Sequence, residues 1–227
     1  IVLLLAHLVV GLGLICWGRH ATRLAVPVAA VPLAATAAWL VARGGGPLDG
    51  RPVTESVTWV PALGVDLDLR LDGFAVLFAA LVSGIGVLIV AYCRPYLADG
   101  GAGRGRLLGL LVLFAGSMLG LVLADNLIVL FGFWELTSIT SFLLIGNDHD
   151  SVKARAAALQ ALLITGAGGL AMLAGFVLIG QAVEGGGSYQ LSRVLADPPA
   201  GTPVTVGLVL VLVGAFTKSA QYPFHSW

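Results

Sequence analysis

Residues 126–146 read NLIVLFGFWELTSITSFLLIG, an apolar run interrupted near its centre by one acidic side chain, Glu135. A helix needs about 20 mostly apolar residues to cross the ~30 Å hydrocarbon core of a bilayer. Further runs of this kind lie on both sides, so we predict about seven transmembrane helices, at residues 1–17, 24–41, 74–92, 107–123, 126–146, 156–182 and 203–221. We therefore expect an all-α, polytopic membrane helix bundle that forms a single transmembrane domain over residues 1–227.

The composition also indicates that lipid surrounds most of the chain. Of its 227 residues, 58% are hydrophobic and 11% are charged, and the mean hydropathy is +0.98. Soluble domains are about a quarter charged, so a soluble fold is excluded. The chain lacks a basic stripe, which excludes nucleic acid as a partner. Cys16 and Cys93 lie in different apolar runs and predict neither a disulfide framework nor a metal site.

The segments between the runs predict how the chain crosses the membrane. Residues 57–71 alternate apolar and polar around Gly64, which predicts a short external β-hairpin between the second and third helices. The remaining loops form two alternating sets, one net basic and one net acidic. Basic loops face the cytoplasm, so we expect the N-terminus outside. The basic set contains Arg19, Arg23, Arg94, Arg104, Arg106, Lys153 and Arg155.

Glu135 is the first candidate for a functional residue. It lies about nine residues into its run, which places it ~14 Å deep at ~1.5 Å per residue. An ionised group at that depth costs roughly 2.5–3.5 kcal/mol. Ser138, three residues later, shares its helix face, so this face should point into the protein or toward water. A protonatable functional site is favoured over a carboxylate that only ties two helices together.

Lys218 is the second candidate, at the end of the last apolar run. Pro223 lacks an N–H and clashes with the carbonyl four residues back, so the helix should break just after Lys218. Broken helices at membrane depth are tolerated where they line a polar cavity, and they mark ion sites in transporters. From spacing alone, a lysine that extends to the cytoplasmic headgroups is an equal alternative. An ammonium group ~4 Å from Glu135 would contribute ~4 kcal/mol at an effective dielectric of about 20.

His225 is the third candidate. It follows the expected break and could relay protons near neutral pH. An interfacial histidine bonded to a carbonyl fits the pattern equally well.

Other polar clusters fit structural roles better. Asp148-His149-Asp150 could gather cations at a cytoplasmic mouth, but a solvated turn and helix cap is favoured. Asp66, Asp68 and Asp72 lack the spacing of a calcium loop. The glycines of residues 165–169 lack the strand and GK[ST] of a phosphate loop, and small residues there let helices pack closely. Neither a metal nor a cofactor is expected.

Two motifs carry a family resemblance. FGFWELTS at residues 131–138, continuing in SFLLIG at 141–146, resembles the fifth-span motif of antiporter-like membrane subunits. GAFTKSAQYPFH at residues 214–225 resembles their seventh-span motif. The family includes the A subunit of Mrp-type multisubunit sodium/proton antiporters and the largest antiporter-like subunit of respiratory complex I. ITGAGGLAML at residues 164–173, together with His225, is more similar to the Mrp branch.

The resemblance implies inverted five-helix repeats, a functional glutamate–lysine pair at Glu135 and Lys218, and a seventh helix broken near mid-membrane. It implies a secondary transporter subunit of the bacterial plasma membrane rather than an enzyme, with other membrane subunits as partners. Such a subunit exchanges sodium or another monovalent cation for protons, with His225 as a relay and no cofactor. Because the chain stops before an eighth span, we expect it to be the N-terminal part of a longer subunit.

Two alternatives remain open. In complex I or a membrane-bound hydrogenase, electron transfer in partner subunits would drive the same half-channel. In a non-transporting membrane assembly subunit, Glu135 would serve only complex formation.

Overall fold

The computed structural model describes residues 1–18, 24–96, 103–148 and 150–227. Over these ranges the chain forms nine helices and a two-stranded sheet. In chain order the elements are α1 (Val2–Trp17), α2 (Ala25–Arg43), α3 (Gly45–Leu48), β1 (Val53–Val60), β2 (Val65–Leu71), α4 (Gly73–Tyr96), α5 (Arg104–Leu123), α6 (Leu127–Ile145), α7 (Val152–Gln181), α8 (Leu191–Ala196) and α9 (Thr202–Lys218).

The helices confirm the predicted fold class. By length and composition α2, α4, α5, α6 and α7 can each cross a membrane, and α1 and α9 are shorter apolar helices. Their positions follow the seven apolar runs to within four residues at each end. The last helix ends at Lys218, three residues before the expected end at Gln221. In contrast, α4 continues to Tyr96 and α7 begins at Val152, each four residues beyond the expected bound. The assignment of the whole chain to one transmembrane domain stays a prediction.

The first of two compact units contains residues 1–55 and 70–123. Leu14 of α1, Leu33 of α2, Val90 of α4 and Leu108 of α5 form its apolar core. Glycines bring α1 and α5 together, since a Cβ built on Gly109 would lie 2.5 Å from the carbonyl oxygen of Gly11. Small residues therefore let two helices pack closely in this unit.

The second unit contains residues 56–69 and 124–227, and therefore α6 to α9. One apolar cluster of this unit joins Leu127 of α6, Met172 and Phe176 of α7, and Val204 of α9. Because α7 packs against both α6 and α9, it is the central helix of these three. The candidate residues Glu135 and Lys218 lie on the two outer helices.

The predicted hairpin is present as β1 and β2. A short turn at Pro61–Leu63 joins the strands, and Gly64 closes it with φ 63°, a left-handed conformation that glycine adopts readily. Val65 of β2 packs with Ala124 and Val129 at the start of α6, whereas β1 is largely exposed. The first strand begins at Val53, earlier than the expected residue 57.

Some residues on which the sequence-based expectations depend lie outside the described ranges. They are Arg19, Arg23 and His149. Their contributions to the orientation of the chain and to the Asp148-His149-Asp150 cluster therefore stay predictions.

Candidate functional site

The N-terminus of α6 is fixed by its capping residue. Asn126 has an extended backbone conformation, and its Oδ1 accepts hydrogen bonds from the amides of Ile128 at 3.0 Å and Val129 at 3.5 Å. Such caps satisfy amides that have no partner within the helix. The cap fixes where α6 begins, and Glu135 lies slightly more than two turns further along.

A buried hydroxyl strip follows Glu135 on α6. Thr137, Ser138 and Thr140 are all buried. Each hydroxyl donates to a backbone carbonyl of its own helix, as Thr137 does to the Trp134 carbonyl at 2.6 Å. The strip therefore satisfies its own donors, and its oxygen atoms remain able to accept a further hydrogen bond.

The Glu135 carboxylate lies against α7. A Cβ built on Gly169 would overlap Oε1 of Glu135 and would lie 3.1 Å from its Cδ. Oε1 is buried and has no hydrogen-bond partner within the described part of the chain, and the same is true of Nε1 of the neighbouring Trp134. The side chain is thus directed into the protein, which is the orientation expected for a costly charged group.

The Lys218 ammonium lies on the hydroxyl strip. Its Nζ donates to Oγ1 of Thr137 at 2.8 Å and to Oγ of Ser138 at 2.7 Å. It also lies 5.2 Å from the ring centroid of Trp134, within the range of a cation–π interaction. Lys218 therefore turns toward α6, although the spacing alone also allowed an extension to the headgroups.

The acid and the amine share one region without touching directly. The residues described in the structure include no ion pair between Glu135 and Lys218. Instead, the ammonium binds residues two and three positions after Glu135 on the same helix. The ~4 Å contact considered from the sequence is thus replaced by contact through the hydroxyl strip, and the joint role of the two residues stays a prediction.

The chain leaves its helical path immediately after Lys218. Ser219 is the C-terminal cap of α9, and Ala220 has φ 50°. The following segment folds back, because Nε1 of Trp227 donates to the Thr217 carbonyl at 2.9 Å and Nε2 of Gln160 donates to the Ser226 carbonyl at 2.7 Å. The break expected from Pro223 is confirmed.

His225 is placed in this returning segment and is exposed. Its ring stacks on Tyr222 with 5.6 Å between the centroids. The contacts found in the described ranges do not join His225 to Glu135 or to Lys218. Its role as a relay therefore stays a prediction.

Asp125 is a structural residue that no pattern in the sequence singles out. It is buried, and its carboxylate accepts from the amide of Ser192 at 2.8 Å and from the Ser192 hydroxyl at 2.7 Å. Its own amide donates to the carbonyl of Asp68 at 2.8 Å. Asp125 thus connects β2, the start of α6 and α8. Its partners are distant in sequence, so only its position beside the Asn126 cap could have drawn attention to it.

Nothing in the described ranges resembles a metal centre, since no group of three or more histidine, cysteine or acidic side chains comes together there.

The chain is similar in sequence to known antiporter proteins. Residues 124–227 match the family described as NADH:quinone oxidoreductase/Mrp antiporter, TM. A probable K(+)/H(+) antiporter A/B subunit of Rhizobium meliloti is 54% identical over 175 residues, which are 75% of this chain and 17% of that protein. The Na(+)/H(+) antiporter A subunit of Alkalihalophilus pseudofirmus is 41% identical over 181 residues, covering 78% of this chain and 22% of that protein.

Solved structures have the same fold. A chain of the Mrp complex from Dietzia sp. superimposes with a TM-score of 0.82 at 38% identity, covering 100% of this chain and 25% of that one. Respiratory complex I from Thermus thermophilus gives a TM-score of 0.78 at 23% identity, over 99% of this chain and 45% of the matched chain. At that identity the second match supports the fold alone.

These similarities define the class as multi-span bacterial membrane subunits with an antiporter-like fold. Over residues 124–227 the chain matches the NADH:quinone oxidoreductase/Mrp antiporter family, and over 75% of its length it is homologous to part of an antiporter A/B subunit. It spans 17% and 22% of the length of the two curated relatives above. The family resemblance and the location in a bacterial plasma membrane are thereby confirmed, and the relatives are named as transporter subunits rather than enzymes.

Proposed function

We propose that this chain forms the proton-translocating half-channel of a multisubunit antiporter that exchanges a monovalent cation for protons. In this proposal Glu135 binds the proton, and Lys218 controls its binding and release. One observation carries the proposal: the Lys218 ammonium binds Thr137 and Ser138, which follow Glu135 on α6. The amine of α9 thus reaches the hydroxyl strip that follows the acid on α6.

The lack of direct contact suits a switching role. A carboxylate in a low-dielectric interior is unstable as an ion unless a positive charge lies near. Lysine is a compact charge on a flexible four-carbon stem, so its ammonium can move between the hydroxyls and the carboxylate. When it approaches Glu135, it stabilises the ionised carboxylate. When it returns to the hydroxyls, the carboxylate binds a proton instead.

The relatives favour an antiporter over an electron-transfer complex. The two curated relatives, at 54% and 41% identity, are named as antiporter subunits, whereas the complex I structure is only 23% identical. One is named for potassium and the other for sodium, so we propose a monovalent cation without choosing between the two. Other membrane subunits are proposed as partners because the similar chain of known structure belongs to an Mrp complex.

The direct test is cation-dependent proton flux in inverted membrane vesicles that contain the complete native assembly. Glu135→Gln keeps the size of the side chain but removes the ionisable group. Glu184→Gln is the matched control, because Glu184 is exposed. We expect the first variant to lose about tenfold or more of the flux, as expected when a general acid–base group is removed. The control should remain at the wild-type rate.

Two results would contradict the proposal. Wild-type flux from Glu135→Gln would exclude a role in proton transfer. Wild-type flux together with a defect in complex assembly would support a non-transporting assembly subunit instead.

A further inference from the structure

Two adjacent glycines of α7 face the two helices that carry the acid and the amine. Gly169 faces Glu135 of α6, and Gly168 faces Thr217 of α9, the residue before Lys218. Consecutive positions of an α-helix point about 100° apart, since the helix has 3.6 residues per turn. One short segment of α7 is therefore in contact with both sides of the candidate site.

Each glycine leaves space that a neighbouring side chain fills. A Cβ on Gly169 would overlap Oε1 of Glu135 and lie 3.6 Å from Cδ1 of Trp134. A Cβ on Gly168 would overlap Oγ1 of Thr217 and lie 2.7 Å from its Cβ. Thr217 cannot easily move aside, because it is buried and its hydroxyl donates to the Gly214 carbonyl at 2.7 Å.

The carboxylate has no hydrogen bond to hold Oε1 in this space. Buried polar atoms normally have such a partner, and Oε1 of Glu135 lacks one among the described residues. The position of the carboxylate is therefore set by the shape of the cleft between α6 and α7. A single methyl group on Gly169 would remove that shape.

We propose that Gly169 is a positioning residue, which holds the Glu135 carboxylate in the α6–α7 cleft, next along α6 to the hydroxyl strip that Lys218 reaches. Gly168 acts in the same way on the end of α9 that carries Lys218. The adjacent pair thus sets the separation between acid and amine. This inference rests on the proposed function, in which that separation governs proton binding.

Other glycines on α7 provide matched comparisons. A Cβ on Gly166 would meet nothing within 4 Å, so Gly166→Ala measures the effect of replacing a glycine of α7 by alanine without a steric clash. A Cβ on Gly175 would lie 2.5 Å from the carbonyl oxygen of Gly207, so Gly175→Ala forces backbone apart. Gly169→Ala differs from both, because it meets the mobile end of a side chain. It should leave the helix packing intact and displace only the carboxylate.

The experiment measures proton flux and chemical labelling of the native assembly in vesicles. A membrane-permeant carbodiimide modifies buried carboxyl groups. Mass spectrometry then measures the rate at which the reagent modifies the carboxyl group at position 135. Misplacement of a reacting group by about 1 Å costs on the order of a hundredfold in rate. We therefore expect Gly169→Ala to lower the flux about tenfold to a hundredfold and to speed labelling, while Gly166→Ala leaves both within about twofold of wild type.

A compensating substitution separates positioning from packing. Glu135→Asp shortens the side chain by one methylene and withdraws the oxygen from the Gly169 space. In that background Gly169→Ala should change the labelling rate and the amount of protein in the membrane by less than about twofold, since the clash is gone. If Gly169→Ala fails to accumulate in both backgrounds, Gly169 serves helix packing and the inference is overturned.

The remaining outcomes separate this inference from the proposed function. If Gly169→Ala equals Gly166→Ala in flux and labelling while Glu135→Gln is inactive, only the positioning role fails. If Glu135→Gln itself transports at the wild-type rate, the proposed function is wrong. The position of the Glu135 carboxylate then does not affect transport, and the inference about Gly169 is overturned with it.

Discussion

At the scale of single residues, Lys218 is held by neutral acceptors. Hydroxyl groups fix the position of an ammonium ion without neutralising it, so its charge remains available to act on Glu135. A hydrogen bond to a charged group contributes about 1.5–3 kcal/mol. The two bonds to Thr137 and Ser138 therefore provide a resting position from which the ammonium can move without breaking an ion pair.

Removal of these hydroxyls should impair transport. The double substitution Thr137→Val and Ser138→Ala deletes both acceptors, and we expect the cation-dependent proton flux to fall about tenfold, in line with the loss of hydrogen bonds to a charged group. Thr140→Val is the matched control, because among the described residues the Thr140 hydroxyl bonds only carbonyls of its own helix, Leu136 at 2.7 Å and Thr137 at 3.2 Å. Equal flux in the two variants would show that the hydroxyl strip does not hold the amine.

The sequence identified the two charged residues but not their contacts. Glu135 and Lys218 stood out because charge within an apolar run is rare. The hydroxyl partners of Lys218 depend on how α9 packs across α7 and on the lysine rotamer, and neither leaves a local signal in the sequence. The space beside Gly169 is likewise a property of two helices together.

At the scale of helices and strands, α7 organises the second unit by close contact with α9. A Cβ built on Gly175 would lie 2.5 Å from the carbonyl oxygen of Gly207. A Cβ built on Gly214 would lie 2.7 Å from the carbonyl oxygen of Gly168. Small residues allow such approach in membranes, where packing rather than the hydrophobic effect drives helix association. The contact keeps the Lys218 end of α9 near α6.

A methyl group at this contact should destabilise the unit. Gly175→Ala forces backbone against backbone, and overpacking of this kind costs about 1–3 kcal/mol. For a unit of this size that corresponds to a fall of several degrees in the thermal unfolding midpoint. The midpoint can be followed in detergent, with Gly166→Ala as the control. An unchanged midpoint for Gly175→Ala would show that α7 and α9 are less closely packed.

The Asp125 junction should govern the order of α8. Asp125→Ala removes the acceptor of two Ser192 hydrogen bonds, and unsatisfied buried donors cost about 1–3 kcal/mol each. We expect faster amide hydrogen exchange over residues 188–196, measured by mass spectrometry. Asp197→Ala, at an exposed aspartate just after α8, should leave that exchange unchanged. Identical protection in both variants would show that the junction does not hold α8.

Several elements were predictable because their signals are local. The apolar runs predicted the helices, the period of two predicted the hairpin, and Pro223 predicted the break after Lys218. The bond between Asp125 and Ser192 was not predictable, since these residues are 67 positions apart and neither has a distinctive neighbourhood in the sequence.

At the scale of the whole molecule, the distribution of charge predicts which end of each helix faces the cytoplasm. The first turn of α7 carries Lys153 and Arg155, whereas the hairpin carries Asp66 and Asp68. Basic loops remain on the cytoplasmic side, so α6 should run from the outside to the inside.

Cysteine accessibility tests this orientation. In a background without Cys16 and Cys93, Thr58→Cys on the hairpin should react with a membrane-impermeant thiol reagent in intact cells. Asp150→Cys, between α6 and α7, should react only in inverted vesicles. The opposite pattern would show that α6 runs from the inside to the outside.

The central claim is that Glu135 and Lys218 act as one unit on a proton. The most direct measurement is the proton flux of Glu135→Gln, Lys218→Met and the double variant in the native assembly, with Lys153→Met at an exposed lysine as the control. Residues that act as a unit have strongly non-additive effects. We predict that each single variant loses about tenfold or more and that the double variant is no slower than the slower single one. Wild-type flux in either single variant, or losses that multiply in the double variant, would contradict the account.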